Sequence, residues 1–221
     1  MNQQFEKWNK WLEDYIYPET TELVSFQYIF RKIAKMANEN PTFQQLESFH
    51  WFIKSTYFDY AVMACRRQLK SDRKSVSFVR LLEDIIKFPE VMSRERFVNL
   101  YSKDMRTHAS QIFSQRFSGA CKDYIDPIIV QQNLCELKSH GGKIGKVEDF
   151  ADKRVAHSDR RSSDSPTFDE LDACIDCLKK FTQSYRFLFR GMGENDDLLM
   201  PGINEYWDET FRNPLILPDG S

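Results

Sequence analysis

The sequence predicts an all-α protein, an antiparallel helical bundle with additional helices. Three observations carry that expectation. No segment alternates apolar and polar residues with period two over a convincing length. Apolar residues recur instead at three- and four-residue spacing along several stretches. Helix-breaking residues are also scarce: 8 Gly and 8 Pro occur in 221 residues, and no glycine precedes Gly119.

In the first half, Pro18, Pro41 and Pro89 stand where the helical periodicity is expected to break. Between the first two, Leu23, Phe26, Phe30, Ile33 and Ala37 form one apolar stripe. A second stripe, Leu46, Phe49, Ile53, Tyr57, Tyr60 and Ala64, follows Thr42-Phe43-Gln44-Gln45, a capping-box pattern for a helix start. Val76, Val79, Leu82 and Ile86 mark a shorter helix. The pattern then predicts one helix from Arg94 to about Gln115 and another from about Tyr124 to Lys138, ending at His140-Gly141-Gly142.

Thr167-Phe168-Asp169-Glu170 is a second capping box. It opens a helix whose stripe is Phe168, Leu171, Ile175, Leu178, Phe181, Tyr185 and Leu188, with Gly191 as its stop. The expected organisation is a helical domain over residues 1–190 and a C-terminal tail, residues 191–221, packed on the bundle.

Composition narrows the function classes. With 41% hydrophobic residues, 18 of the total being Phe, material for a sizeable core is present and disorder as the main state is not expected. The longest uninterrupted apolar stretches, such as Tyr60 to Cys65, are about a third of the ~20 residues that a membrane span needs. The first residues lack the apolar core of a signal peptide, so a cytoplasmic protein is expected. A net charge of −2 gives no support for general nucleic-acid binding.

Cys65, Cys121, Cys135, Cys174 and Cys177 are an odd set, and a disulfide framework is not expected. Cys174 and Cys177 form a C-x-x-C inside a helical pattern, with no second C-x-x-C and no His pair nearby, which favours core thiols over a zinc or redox site. The Gly-rich phosphate loop, G-x-S-x-G, H-E-x-x-H and the acidic EF-hand loop are all missing. Neither a cofactor nor a metal is implied.

Four histidines occur. His50 and His108 fall within helical patterns and read as structural, and His140 reads as a helix end. His157 differs. Four cations, Lys153, Arg154, Arg160 and Arg161, surround a side chain that titrates near neutral pH, and small Ala156 and Ser158 flank it. Such a cluster suits holding a phosphodiester while an imidazole moves a proton. A solvated basic helix end leading into Ser162 to Pro166 is the plainer account. A second basic stretch, Arg66, Arg67, Lys70, Arg73 and Lys74, is opposed only by Asp72 and is another possible RNA footprint.

Lys153-x-x-Ala156-His157-Ser158-Asp159, preceded by Asp152, resembles the signature of HEPN domains, in particular the abortive-infection AbiU-like subgroup. Two softer matches accompany it: the run from Tyr60 through Arg66-Arg67 to Ser77-x-x-x-Leu81-Leu82, and Glu205-Tyr206-Trp207 through Phe211-Arg212-Asn213-Pro214. The resemblance implies a HEPN-like all-α bundle and a metal-independent endoribonuclease acting as a toxin or antiviral defence effector. It implies a homodimer with a composite site, RNA as substrate and an antitoxin of nucleotidyltransferase type as a possible partner.

By that resemblance His157 transfers protons at the ribose 2′-hydroxyl and the leaving oxygen. Asp152 matches the polar motif residue; Lys153, Arg154, Arg160 and Arg161 would contact RNA, with Ser158 and Asp159 supporting them. The motif Arg, which holds the phosphate, should stand at position 151, where this sequence has Ala151. A loss at that position, natural or introduced, would leave the chain inactive or weakened; substitution by Arg154, one helical turn before His157, is the other account. The alternative function is a non-catalytic helical HEPN module that binds nucleotide, RNA or an antitoxin partner.

Overall fold

The computed structural model describes residues 2–39, 47–72, 74–119, 121, 123–139, 143–151, 165–192, 198–200 and 203. Among these residues the fold is almost wholly helical, and the one β-contact is an isolated antiparallel bridge between Ser93 and Tyr124. The helices are α1 (Asn2–Trp11), α2 (Tyr17–Glu39), α3 (Glu47–Leu69), α4 (Phe78–Lys87), α5 (Arg94–Val98), α6 (Arg106–Phe113), α7 (Pro127–Ser139), α8 (Lys143–Phe150) and α9 (Phe168–Arg190). No helix among the described residues is long and apolar enough to cross a membrane.

α9 organises the core. Its neighbours are α2, α3, α5, α7 and α8, and Leu171, Ile175, Leu178, Phe181, Tyr185 and Leu188 are all buried on it. Every member of the stripe read from sequence is therefore inside, except Phe168, which is half-buried at the first turn. The polar groups drawn in with them are satisfied: Asn133 donates to the Tyr185 hydroxyl at 3.2 Å, and the Thr20 and Thr182 hydroxyls meet at 3.2 Å between α2 and α9. Buried polar atoms without such partners would cost about 1–3 kcal/mol each.

Three expectations need correction. Pro18 does not break the chain's helical course. A π-helical stretch over Leu12–Ile16 runs directly into α2, so the proline lies inside a continuous helical course just after the widened turn. Residues 94–115 are not one helix but α5, a 3-10 turn at Lys103–Met105, α6 and a π-turn at Ser114–Ser118. On a continuous helix Phe97 and Phe113 would lie roughly 24 Å apart. The break lets their rings meet at 5.6 Å and join Phe117 and Phe187 in one aromatic cluster. α7 begins at Pro127 rather than near Tyr124, because Tyr124 bridges to Ser93 and Asp126 accepts from the Ile128 N–H at 2.9 Å as an N-terminal cap.

Gly119 belongs to the same junction. Its φ is +44°, and a Cβ there would stand 2.4 Å from Oδ2 of Asp126. Gly191 ends α9 at φ +67°, donating to the Phe187 carbonyl at 2.8 Å, as the sequence predicts. Beyond it, Leu198 is buried and the Met200 N–H donates to Ser25 Oγ at 2.8 Å, so this stretch of the tail lies on α2. The capping box expected at Thr42 to Gln45 and most of the tail, including Tyr206, Trp207 and Phe211, lie outside the described residues.

Candidate functional site

Of the residues singled out around His157, the described set contains only Ala151. Asp152, Lys153, Arg154, His157, Ser158, Asp159, Arg160 and Arg161 lie outside it, as does His140. Both flanks of that block are described, however. On the near side, α8 packs between α3 and α9 and delivers Phe150 and Ala151 into the core, Ala151 with zero exposure beside fully buried Val147. On the far side, the Thr167 hydroxyl accepts from the Glu170 N–H at 3.2 Å, and the Glu170 carboxylate accepts from the Thr167 N–H at 2.7 Å.

The two flanks meet on one side chain of α3. Phe58 stands edge-on to Phe150, with ring centroids 5.6 Å apart, and edge-on to Phe168 at 5.4 Å. Phe168 also stacks on Phe30 of α2 at 5.1 Å. Lys146 of α8 reaches Glu170 of α9, its Nζ 3.2 Å from each carboxylate oxygen, and closes the junction electrostatically. The described residues that flank the His157 block are thus joined at Phe58 of α3.

The capping box holds this geometry, and Thr167→Ala is expected to cost about 1 kcal/mol of stability, read from the urea midpoint. The Glu170 carboxyl is held below the ordinary glutamate range by the Thr167 N–H first and then by Lys146. A lowered carboxyl stabilises fully above its unfolded pKa and loses that contribution as pH falls through the folded value. Glu170→Gln is accordingly expected to flatten the stability–pH curve in that acid window.

Beside the junction lies a cleft of about 630 Å³ between the C-terminal half of α2 and the start of α3. Phe30, Trp51 and Phe168 supply its aromatic walls, and Arg31, His50 and Lys54 its basic groups. Arg31 is paired with Asp172, which also accepts from Gln27 at 3.0 Å. The Lys54 ammonium lies 5.4 Å from the centre of the Phe168 ring. Cations against flat rings offer a place for an anion joined to a planar group. Trp51 and Lys54 were not legible as site residues. The one available signal was that Trp51 and Phe52 fall off the Phe49-Ile53-Tyr57 stripe.

The other candidates lie apart from one another. Arg67 is paired with Glu19, and the surface around Arg66, Arg67 and Lys70 also carries Asp14, Glu19, Glu22 and Asp72. That mixture is a poor electrostatic footprint for RNA. His108 is exposed on α6, whereas His50 lines the cleft.

Cys174 and Cys177 are buried core thiols, as expected. A hydrogen bond with Cys65 and burial raise the Cys174 pKa, and burial pushes Cys177 up to about 12. Both should resist iodoacetamide at pH 8 in the folded protein and react on unfolding, as mass spectrometry would show. No group of three or more His, Cys, Asp or Glu side chains able to hold a metal is assembled among the described residues.

No protein-family model, curated protein or solved structure matches the chain.

Proposed function

We propose that the chain is a HEPN-type, metal-independent endoribonuclease whose site is the block from Asp152 to Arg161. The observation that carries this reading is the capture of both flanks of that block, Phe150 and Phe168, by Phe58. Residues on either side of the block thus share one anchor in the bundle, and a histidine among four cations is a residue set suited to phosphodiester chemistry.

In this reading His157 takes the proton from the ribose 2′-hydroxyl, whose oxygen attacks the adjacent phosphorus. The bond to the 5′ oxygen breaks, and that oxygen receives the proton from the His157 imidazolium. The products are a 2′,3′-cyclic phosphate and a 5′-hydroxyl end. Arg154 holds the phosphate oxygens and the charge that develops on them. Zero exposure of Ala151 favours this assignment, since a side chain at position 151 starts from inside the apolar cluster. A homodimer, an antitoxin partner and a role in defence go with the family reading.

The same burial favours a second reading, a non-catalytic HEPN module that binds RNA or nucleotide without cutting. Incubation of the full chain with single-stranded RNA in EDTA separates the two. Cleavage is expected; binding without cleavage would leave the second reading.

A further inference from the structure

We propose that single-stranded RNA docks along the first third of α3, with an unpaired base stacked on Trp51 and a phosphate held by Lys54. The proposal rests on the RNA reading above and adds a place and a strand state for the substrate.

Trp51 is 71% exposed, and its neighbours Phe52 and Phe49 are 56% and 39% exposed. Trp51 borders two hollows, one shared with Phe52 and the other, the cleft, shared with Phe49, so the indole stands exposed between two partly apolar surfaces. Lys54 lies one turn beyond Trp51 on the same face of α3, and Phe58 one turn further. The path from Trp51 to Phe58 is about 10 Å along the helix. It therefore runs from the open indole to the side chain that holds both flanks of the His157 block, a span that one extended strand would cover.

Charge decides between an RNA strand and an apolar protein partner. Lys54 is exposed, and its ammonium stands over the Phe168 ring. A protein surface laid over Trp51 and Phe52 would bury that ammonium beside an apolar patch, which is costly unless a carboxylate comes with it. A nucleic-acid strand brings both complements at once, a flat base for the indole and a phosphate for the ammonium. Glu47, which also borders the patch at the start of α3, sets the polarity: phosphates are repelled at that end and drawn towards Lys54 and Phe58.

The test is fluorescence anisotropy of the full chain with a labelled, unstructured RNA oligonucleotide, and with the same RNA annealed to its complement. Trp51→Ala is expected to weaken binding of the unpaired strand by roughly 5- to 150-fold, the usual range for losing one base–aromatic stack. Trp51→Phe should keep most of the affinity, and Lys54→Ala should weaken binding and flatten its dependence on salt. The duplex should bind less well than the single strand. Melting curves of these exposed-site variants should match the parent.

Equal RNA affinity of the parent and Trp51→Ala overturns the proposal. So does a Trp51→Ala protein that binds RNA normally but no longer self-associates, since the patch is then a protein interface. Cleavage that is indifferent to Trp51 removes this docking surface and leaves the ribonuclease reading standing. Trp51-dependent binding with no cleavage supports the docking surface and removes the ribonuclease.

Discussion

Replacing Ala151 by arginine is expected to destabilise the fold by about 3–5 kcal/mol, the scale of an uncompensated buried charge, and to add no RNA cleavage. Ala151 has zero exposure and belongs to the apolar cluster that includes Val147 and Phe150. It directly follows α8, which is wedged between α3 and α9. A guanidinium there must either displace packed side chains or take its charge into them. Ala151→Leu separates the two costs, because it adds bulk without charge and should cost about 1–3 kcal/mol. Urea midpoints of the three proteins check the order. A stable Ala151→Arg protein that cuts RNA faster than the parent would instead make position 151 the site of a lost arginine.

His157→Ala is expected to slow RNA cleavage by about 100- to 10,000-fold, the contribution of a positioned proton-transfer group. Arg154→Ala should cost about 100- to 1,000-fold, as removal of a transition-state donor does. The two losses should differ in their pH signature. An imidazole changes charge near pH 6.5, so His157→Ala should erase the limb of the rate profile that falls near neutrality, while Arg154→Ala should lower the whole profile and keep its shape. Rates measured from pH 5 to 9 on variants with matched melting curves make the distinction.

Periodicity made the interior of α9 legible, since a stripe such as Leu171-Ile175-Leu178 has one face to bury and α9 buries it, whereas on α3 the same reading placed Phe49 inside and it is 39% exposed. The Thr167 capping box and the Gly191 stop were legible because their signals are local: a hydroxyl three residues before a carboxylate, and a residue free to take positive φ. Residues 94–118 were not, because their breaks answer to a distant demand. Phe97 and Phe117, with Phe113 packed against both, converge on Phe187, about seventy to ninety residues away in sequence, and no local pattern announces that target.

The site divides in the same way. The His157 block stands out by residue type alone, whereas the anchoring of its flanks depends on Phe58, an ordinary member of an aromatic-rich helix until Phe150 and Phe168 are brought to it. The burial of Ala151 was equally hidden. The HEPN resemblance places a phosphate-binding side chain at 151, while the packing of α8 between α3 and α9 turns that position inward.

The most direct test of the account is the chemistry of the RNA ends left by the chain in EDTA, with His157→Ala alongside. The account predicts 2′,3′-cyclic phosphate and 5′-hydroxyl ends from the parent and only traces from the variant. Cleavage that needs a divalent metal, ends of another kind, or identical products at identical rates from His157→Ala would contradict it.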